Sequence, residues 1–308
     1  MTTSPLSSLH VFVTGASGFI GSALVPELLA AGHQVTALAR SDASATALAA
    51  AGARVVRGSL DNPESLRAGA AAADGVIHLA FGNFADGPAA GQTDLHGIEA
   101  MAAALQDSGR PLVTASGLLG LAAGRAATEQ DEPDPVSAVA AARPGALVTP
   151  ALAARGVRSS IVRLAPSVHG EGDHALIPQL IAIAREKGVS GYVGDGSGRW
   201  PAVHRLDAAR LFRLALEQAP AGSTLHAVAE EGVPTRDIAV SIGRHLDMPA
   251  VSISPEQATQ HFGWLGMVFG ADIPATSTLT RQLLGWQPVH PGLLEDLDKG
   301  HYFDARQA

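Results

Sequence analysis

Gly15, Gly18 and Gly21 stand three residues apart in Thr14-Gly15-Ala16-Ser17-Gly18-Phe19-Ile20-Gly21, directly after the apolar run His10–Val13. The chemistry this spacing offers is anion binding. Glycines let the backbone turn tightly, approach a pyrophosphate and pack a helix against a strand. A helix starting here, read over Phe19–Ala31, directs unpaired N–H groups and a partial positive charge at that anion. The strand–turn–helix setting is what gives the glycine triplet its meaning, and the missing Gly-Lys-Ser/Thr ending excludes a P-loop. A second polar pair follows the next apolar run, Gln34–Ala39, where Arg40 and Ser41 occur together. At this position dinucleotide folds use an acid for the ribose hydroxyls of NAD, or an arginine for the 2′-phosphate of NADP. Arg40 and Ser41 therefore point to NADP, with NAD as the alternative.

The elements that must carry these groups alternate between strand and helix. Strands are expected at Ala53–Arg57, Gly75–Ala80, Pro111–Ser116 and Ser159–Ala165, each a short apolar run. Between them fall an alanine-rich helix at Asp42–Ala51, a helix opened by Asn62-Pro63-Glu64, and a long helix from about Ala89 to Gln106. This alternation predicts an α/β fold, a Rossmann-type doubly wound parallel sheet. Beyond Pro166 the pattern loosens into helices at Leu176–Lys187, Asp207–Gln218 and Thr235–Leu246. Short strands intervene at Gly191–Val193, Ala202–Arg205 and Leu225–Ala229. The reading is residues 1–165 as the dinucleotide-binding domain and 166–308 as mainly a smaller C-terminal substrate lobe, with segments able to return to the sheet.

Composition bounds the function. The 308 residues are 46% hydrophobic and 16% charged, which is globular, and the net charge of −8 argues against a nucleic-acid surface. Cysteine is absent, so disulfides, thiolate metal sites and cysteine nucleophiles are excluded. The histidines show no metal-ligand spacing, and no metal is expected. The first residues lack the pattern of a signal peptide, and no apolar run reaches the ~20 residues that span a bilayer. A cytoplasmic protein with a small-molecule substrate, and no nucleic-acid or membrane partner, is the expectation.

Together these residues resemble the short-chain dehydrogenase/reductase superfamily in its extended form, the NAD(P)-dependent epimerase/dehydratase-like group. Thr14 to Gly21 is similar to its cofactor fingerprint, His78-Leu79-Ala80 to its fourth-strand motif, and Thr114-Ala115-Ser116 to the strand end that bears the catalytic serine. Arg163 to Gly170 resembles the motif beside the nicotinamide, Gly194 to Ala209 the substrate-lobe signature, and Leu284 to Pro288 the motif near the C-terminus. The resemblance implies cofactor contacts at Gly15, Ser17, Gly18, Phe19, Ile20, Gly21, Leu60, Leu79, Ala80 and Phe81, and at Pro166, Ser167 and Val168. It implies a substrate surface drawing on Phe84, Tyr192, Trp200 and His204, and a homodimer as in many relatives.

The family's chemistry uses a serine, a tyrosine and a lysine four residues after it, and here that pattern is broken. The tyrosines are Tyr192 and Tyr302 and the lysines Lys187 and Lys299, so none lies between Ser116 and the sixth strand. The tyrosine slot falls near Val139 and the lysine slot near Arg143. An arginine can hold a ribose by hydrogen bonds but donates no proton at neutral pH. Pro144 either breaks this helix or opens a late one that Pro150 then kinks. Ser116, His169 and Arg143 are the remaining catalytic candidates, His169 because it titrates near neutrality. An iminium or a conjugated C=C asks less of an enzyme acid than a ketone does. The expectation is therefore an NADP-dependent reductase of a carbonyl, imine or enone. The alternatives are a nucleotide-sugar epimerase or dehydratase, and a non-catalytic NADP sensor.

Overall fold

The computed structural model describes residues 8–82 and 86–303. Phe84, expected on the substrate surface, lies outside them. The first half alternates strictly: β1 (His10–Thr14), α1 (Gly21–Ala30), β2 (Gln34–Ala39), α2 (Asp42–Ala50), β3 (Arg54–Arg57), α3 (Pro63–Ala71), β4 (Gly75–His78), α4 (Pro88–Leu105) and β5 (Pro111–Gly117). After a long loop come two short helices, α5 (Ala138–Ala142) and α6 (Gly145–Ala151), and then β6 (Arg158–Leu164). Every strand pair of the central sheet is parallel, in the order β3-β2-β1-β4-β5-β6, extended beyond β6 by β10 (Ser223–Ala227). The order reverses between β1 and β4, and the crevice at their carboxyl ends is where open α/β sheets bind ligands.

Both faces of the sheet are covered, which is why its strands read as continuous apolar runs. Side chains alternate along a strand, so Val11 and Val13 join one core while Phe12 joins the other. On the first face α1 brings Leu24 and Leu28, and α8 (Arg205–Gln218) brings Leu211 and Phe212. On the second, Leu66 of α3 and Ile98, Met101 and Leu105 of α4 pack around Phe12. Gly69 of α3 makes room for that ring, since a Cβ there would lie 2.3 Å from it.

Element boundaries move from the sequence expectation mainly at the site. α1 starts at Gly21 and not at Phe19, because Gly18 to Ile20 are used in the turn, with the Gly18 N–H donating to the Gly15 carbonyl at 3.0 Å. β4 stops at His78, where Leu79 and Ala80 bend over the end of β1 and Leu79 N–H still bonds the Thr14 carbonyl. Pro144 precedes the first residue of α6 and Pro150 lies inside it, so the late-helix alternative is the observed one.

Beyond β6, the strands β7 (Ser167–His169), β9 (Arg199–His204) and β11 (Glu230–Pro234) form a second sheet. β8 (Ser190–Val193) pairs with β12 (Ala250–Ile253). A separate core gathers under them from α7 (Leu176–Lys187), α9 (Thr235–Leu246), α10 (Ala258–Phe262) and α12 (Leu293–Asp298). α8 and β10 lie between these elements in sequence yet belong to the first sheet, and α11 (Thr278–Leu284) packs beside β10. Among the described residues no helix is long and apolar enough to cross a membrane.

Trp286 ties the C-terminal segment to α8. It is fully buried, and its indole N–H donates to the Asp207 carbonyl at 3.1 Å. The Asp207 carboxylate in turn accepts the N–H groups of Val289 and His290, both at 3.0 Å. Trp286→Ala is expected to cost about 3–5 kcal/mol of stability. Trp264→Ala, at a side chain that is 60% exposed, should stay within about 0.5 kcal/mol. Urea denaturation of the two variants checks the contrast.

Candidate active site

The glycine turn is closed by contact rather than by convenience. Gly15 has φ +68°, and a Cβ on it would lie 2.5 Å from the Ala80 nitrogen. A Cβ on Gly21 would lie 2.1 Å from the Gly15 carbonyl oxygen, so α1 can begin here only on glycine. Gly18 differs: a Cβ would meet only the Gly15 oxygen, at 3.2 Å, which leaves its outer face open. Ser17 and Gly18 are exposed. The first turn of α1 has no side-chain cap, and the Phe19 and Ile20 N–H groups find no acceptor among the described residues. A backbone cradle with exposed, unsatisfied donors is what a pyrophosphate requires.

Thr14 and His78 end the two strands that flank this turn. His78 Nε2 lies 3.1 Å from Asp94 of α4, and its Nδ1 lies 2.7 Å from the Thr14 hydroxyl. A carboxylate only accepts, so Nε2 donates to it, which leaves Nδ1 to pair with the Thr14 hydroxyl. Thr14 Oγ1 also accepts the Ala80 N–H at 3.3 Å. Asp94 is buried, and a Cβ on Gly145 would lie 2.8 Å from its Oδ2. The carboxylate thus reaches the start of α6 as well.

Arg143 sits where α5 ends, and its guanidinium carbon lies 3.8 Å over the centre of the Phe81 ring. Burial lowers its pKa, opposed by the nearby Asp94 charge. The structure therefore brings Arg143 to the Leu79–Phe81 segment beside the glycine turn. Ser116 is buried near the end of β5, paired in register with Arg163 of β6. Val139 is 40% exposed, and its side chain faces Gly120 of the loop after β5.

At the end of β2, Arg40 is exposed and makes no hydrogen bond or ion pair among the described residues. The nearest following acid, Asp42, is paired with Arg57 of β3 at 2.9 Å. Ser41 has a structural job: its Oγ caps α2 by accepting the Ser44 N–H at 3.1 Å. Leu60 packs behind α4 near Gly97. Pro166 and Val168 are half-buried after β6, whereas Ser167 is enclosed.

Four further expected site residues have partners within the fold. His169 is fully enclosed, with Nδ1 3.0 Å from Asp296 of α12, so it binds the C-terminal segment. His204 is the N-cap of α8, its Nδ1 accepting the Leu206 N–H at 3.3 Å, and its ring stacks on His290 at 4.8 Å. Trp200 is a core residue of the second sheet, edge-on to Phe269 and bonded to the Ala271 carbonyl. Tyr192 lies on β8 beneath Arg236. Each of these contacts spans the fold, and only Leu206, beside His204, is near its partner in sequence. Arg205, which lies within the substrate-lobe signature but was given no role there, and His174, which no sequence pattern marked, both touch the Phe19 ring in the glycine turn.

Comparison with known proteins places this geometry. The sequence profile of the NAD dependent epimerase/dehydratase family matches residues 11–228. An uncharacterized protein of Schizosaccharomyces pombe is 48% identical over 298 residues, covering 96% of this chain and all of that protein. A 4-hydroxy-2-methyl-3-oxo-4-farnesyl-3,4-dihydroquinoline-1-oxide ketoreductase of Stigmatella aurantiaca is 29% identical, covering 87% of this chain and 84% of its own. Among solved structures, a dTDP-glucose 4,6-dehydratase from Streptomyces venezuelae with NAD bound superposes with a TM-score of 0.77. It is 22% identical, covers 97% of this chain and 98% of its own, and shows the same fold.

The cap formed by His204 has a measurable consequence. Burial, and next the neighbouring His169, lower its pKa from the ordinary 6.5 to about 4. Between those values the unfolded chain binds more protons than the folded one, so stability falls as pH drops through that window. The loss at the acid end is on the order of 2–3 kcal/mol. His226, also lowered to about 4, first by burial, acts in the same direction. His204→Asn keeps a capping oxygen and removes the titration. Urea unfolding followed from about pH 7.5 to about pH 4.5 should show a flatter pH dependence in this variant than in the native chain.

Proposed function

The chain belongs to the NAD dependent epimerase/dehydratase family, and from that premise we propose that it is an NADP-dependent oxidoreductase of the extended short-chain type. Its substrate is a small apolar molecule whose acceptor carbon is already activated, as an iminium or a conjugated C=C. The observation that carries this reading is the pairing of a complete cofactor cradle with a vacant proton-donor slot. Val139 and Arg143 occupy the positions expected of tyrosine and lysine. Tyr192 is in the β8–β12 sheet, and Tyr302 is bonded to Asp173.

The residues present fit a dinucleotide. The Gly15–Gly21 turn would hold the pyrophosphate on its free N–H groups, and Arg40 the 2′-phosphate. Leu79, Ala80 and Phe81 would line the nicotinamide side together with Pro166 and Val168, and Arg143 would hold the ribose. When bound, NADPH supplies a hydride. Arg143 contributes charge and planarity but no proton, because a guanidinium stays protonated. Ser116 can donate one hydrogen bond to a substrate heteroatom, which orients it. An iminium carbon that gains a hydride becomes a neutral amine carbon, so no acid is needed in that step. Relatives named as reductases, at 29% and 30% identity, support hydride chemistry over epimerisation.

The test is oxidation of NADPH and NADH by the purified protein against cyclic imines, enones and simple ketones. Imine or enone turnover with NADPH is the expected result; efficient turnover of ketones alone would overturn the substrate reading. Binding without turnover of any of them would favour the sensor. Arg40→Asp should move the NADPH-over-NADH preference by at least about tenfold, since it exchanges a charge-assisted contact for a repulsion. Val139→Tyr returns a phenol to the slot. It should raise ketone reduction by at least about tenfold while leaving imine reduction near its starting rate.

A further inference from the structure

The Phe19 ring of the glycine turn is held from the other half of the chain. His174 meets it edge-on at 5.9 Å, and the Arg205 guanidinium carbon lies 5.0 Å from its centre. Arg205 opens α8, and its Nη1 donates to the Glu171 carbonyl at 2.6 Å. The loop from Gly170 to Gly172 wraps the side chain closely. A Cβ on Gly170 would lie 3.0 Å from Arg205 Cγ, and one on Gly172 would lie 3.3 Å from Nη1. Both glycines have positive φ, +137° and +83°, so this wrapping is available to glycine and strained for other residues.

The loop is fixed from its far side by the C-terminal segment. The Tyr302 hydroxyl donates to Asp173 at 3.1 Å and accepts the Gly170 N–H at 3.0 Å. The other Asp173 oxygen accepts the Ala175 N–H at 2.7 Å. Tyr302 and Asp173 are both buried, so the latch is shielded from water.

We propose that Arg205, held by the Gly170–Ala175 loop and the Tyr302 latch, is a further cofactor-binding residue whose guanidinium engages the pyrophosphate at the start of α1. The inference rests on the dinucleotide reading above. A helix terminus offers roughly half a positive charge, while a pyrophosphate carries about two negative ones. Arg40, at the end of β2, is assigned to the 2′-phosphate on the adenosine ribose, which leaves the pyrophosphate open to a cation of its own. A guanidinium has five N–H donors in a planar fork, and the Glu171 carbonyl uses Nη1. Its charge stands over Phe19, one residue from the unbonded Ile20 N–H.

Calorimetric titrations with three probes separate the contacts: NADPH, ADP, which carries a diphosphate, and 2′-AMP, which carries only the 2′-phosphate. Arg205→Gln keeps most of the packing stem. It should weaken NADPH and ADP by about tenfold or more and change 2′-AMP by less than about twofold. Arg205→Lys should recover part of the ADP affinity. Tyr302→Phe should weaken ADP by a smaller factor and speed amide exchange across residues 170–175. Unchanged ADP binding in Arg205→Gln overturns the proposal, and so does an equal loss of all three probes, which marks a structural role. A native chain that binds none of the probes refutes the dinucleotide reading itself, and with it the inference.

Discussion

The closest backbone approach in the site is the one between Gly21, Gly15 and Ala80, and the rest of the arrangement depends on it. A helix start, a strand end and the bend after a second strand meet with no room for a single Cβ. This contact forces β1 and β4 to end side by side at the point where the sheet order reverses. It also explains why the polar groups nearby pair among themselves. Thr14 Oγ1 accepts the Ala80 N–H that the bend would orphan, the Thr14 hydroxyl pairs with His78 Nδ1, and His78 Nε2 donates to Asp94. A buried donor left unmade costs roughly 1–3 kcal/mol, so each link supports the next.

A second set of buried charges holds the opposite wall. The loop between Ser116 and α5 would be free to drift, but it is pinned at several points by distant residues. Arg163 donates to the Asp131 carbonyl at 2.6 Å, Glu129 accepts the N–H and hydroxyl of Thr280, and Ala127 bridges to Ala275. Asp131 is also paired with Arg125, whose hydrogen bond holds its carboxyl well below the usual range. The end of the chain thus helps to place the segment that carries Val139 and Arg143. A loop position in the first half of the sequence is secured by α11, contributed from the second.

Sequence reading reached the parts that local physics determines. Strands buried on both faces announce themselves as apolar runs, and Val11, Phe12 and Val13 were legible for that reason. The glycine turn was legible because only glycine satisfies its contacts. The fold partners of His169, His204 and Trp200 were not legible, because a histidine or tryptophan in a lobe motif looks the same whatever it faces. Those partners are Asp296 for His169, His290 for His204 and Phe269 for Trp200, all from later segments whose approach no spacing reveals. Arg205 was passed over for a like reason. Its neighbours Glu171 and Phe19 come from two other segments, and the lobe signature around it gives no sign of them.

Arginine at position 143 suits its neighbours. An ammonium is a point charge that prefers water, whereas a guanidinium is planar, weakly hydrated and stacks on aromatic faces. Arg143 lies over Phe81 in such a stack, with the Asp94 charge nearby to offset its burial. A lysine there would give up the stack. A tyrosine at 139, in turn, would have beside it a cation already engaged by an aromatic ring and a carboxylate. Arg143 thus presents a fixed positive surface beside the glycine turn.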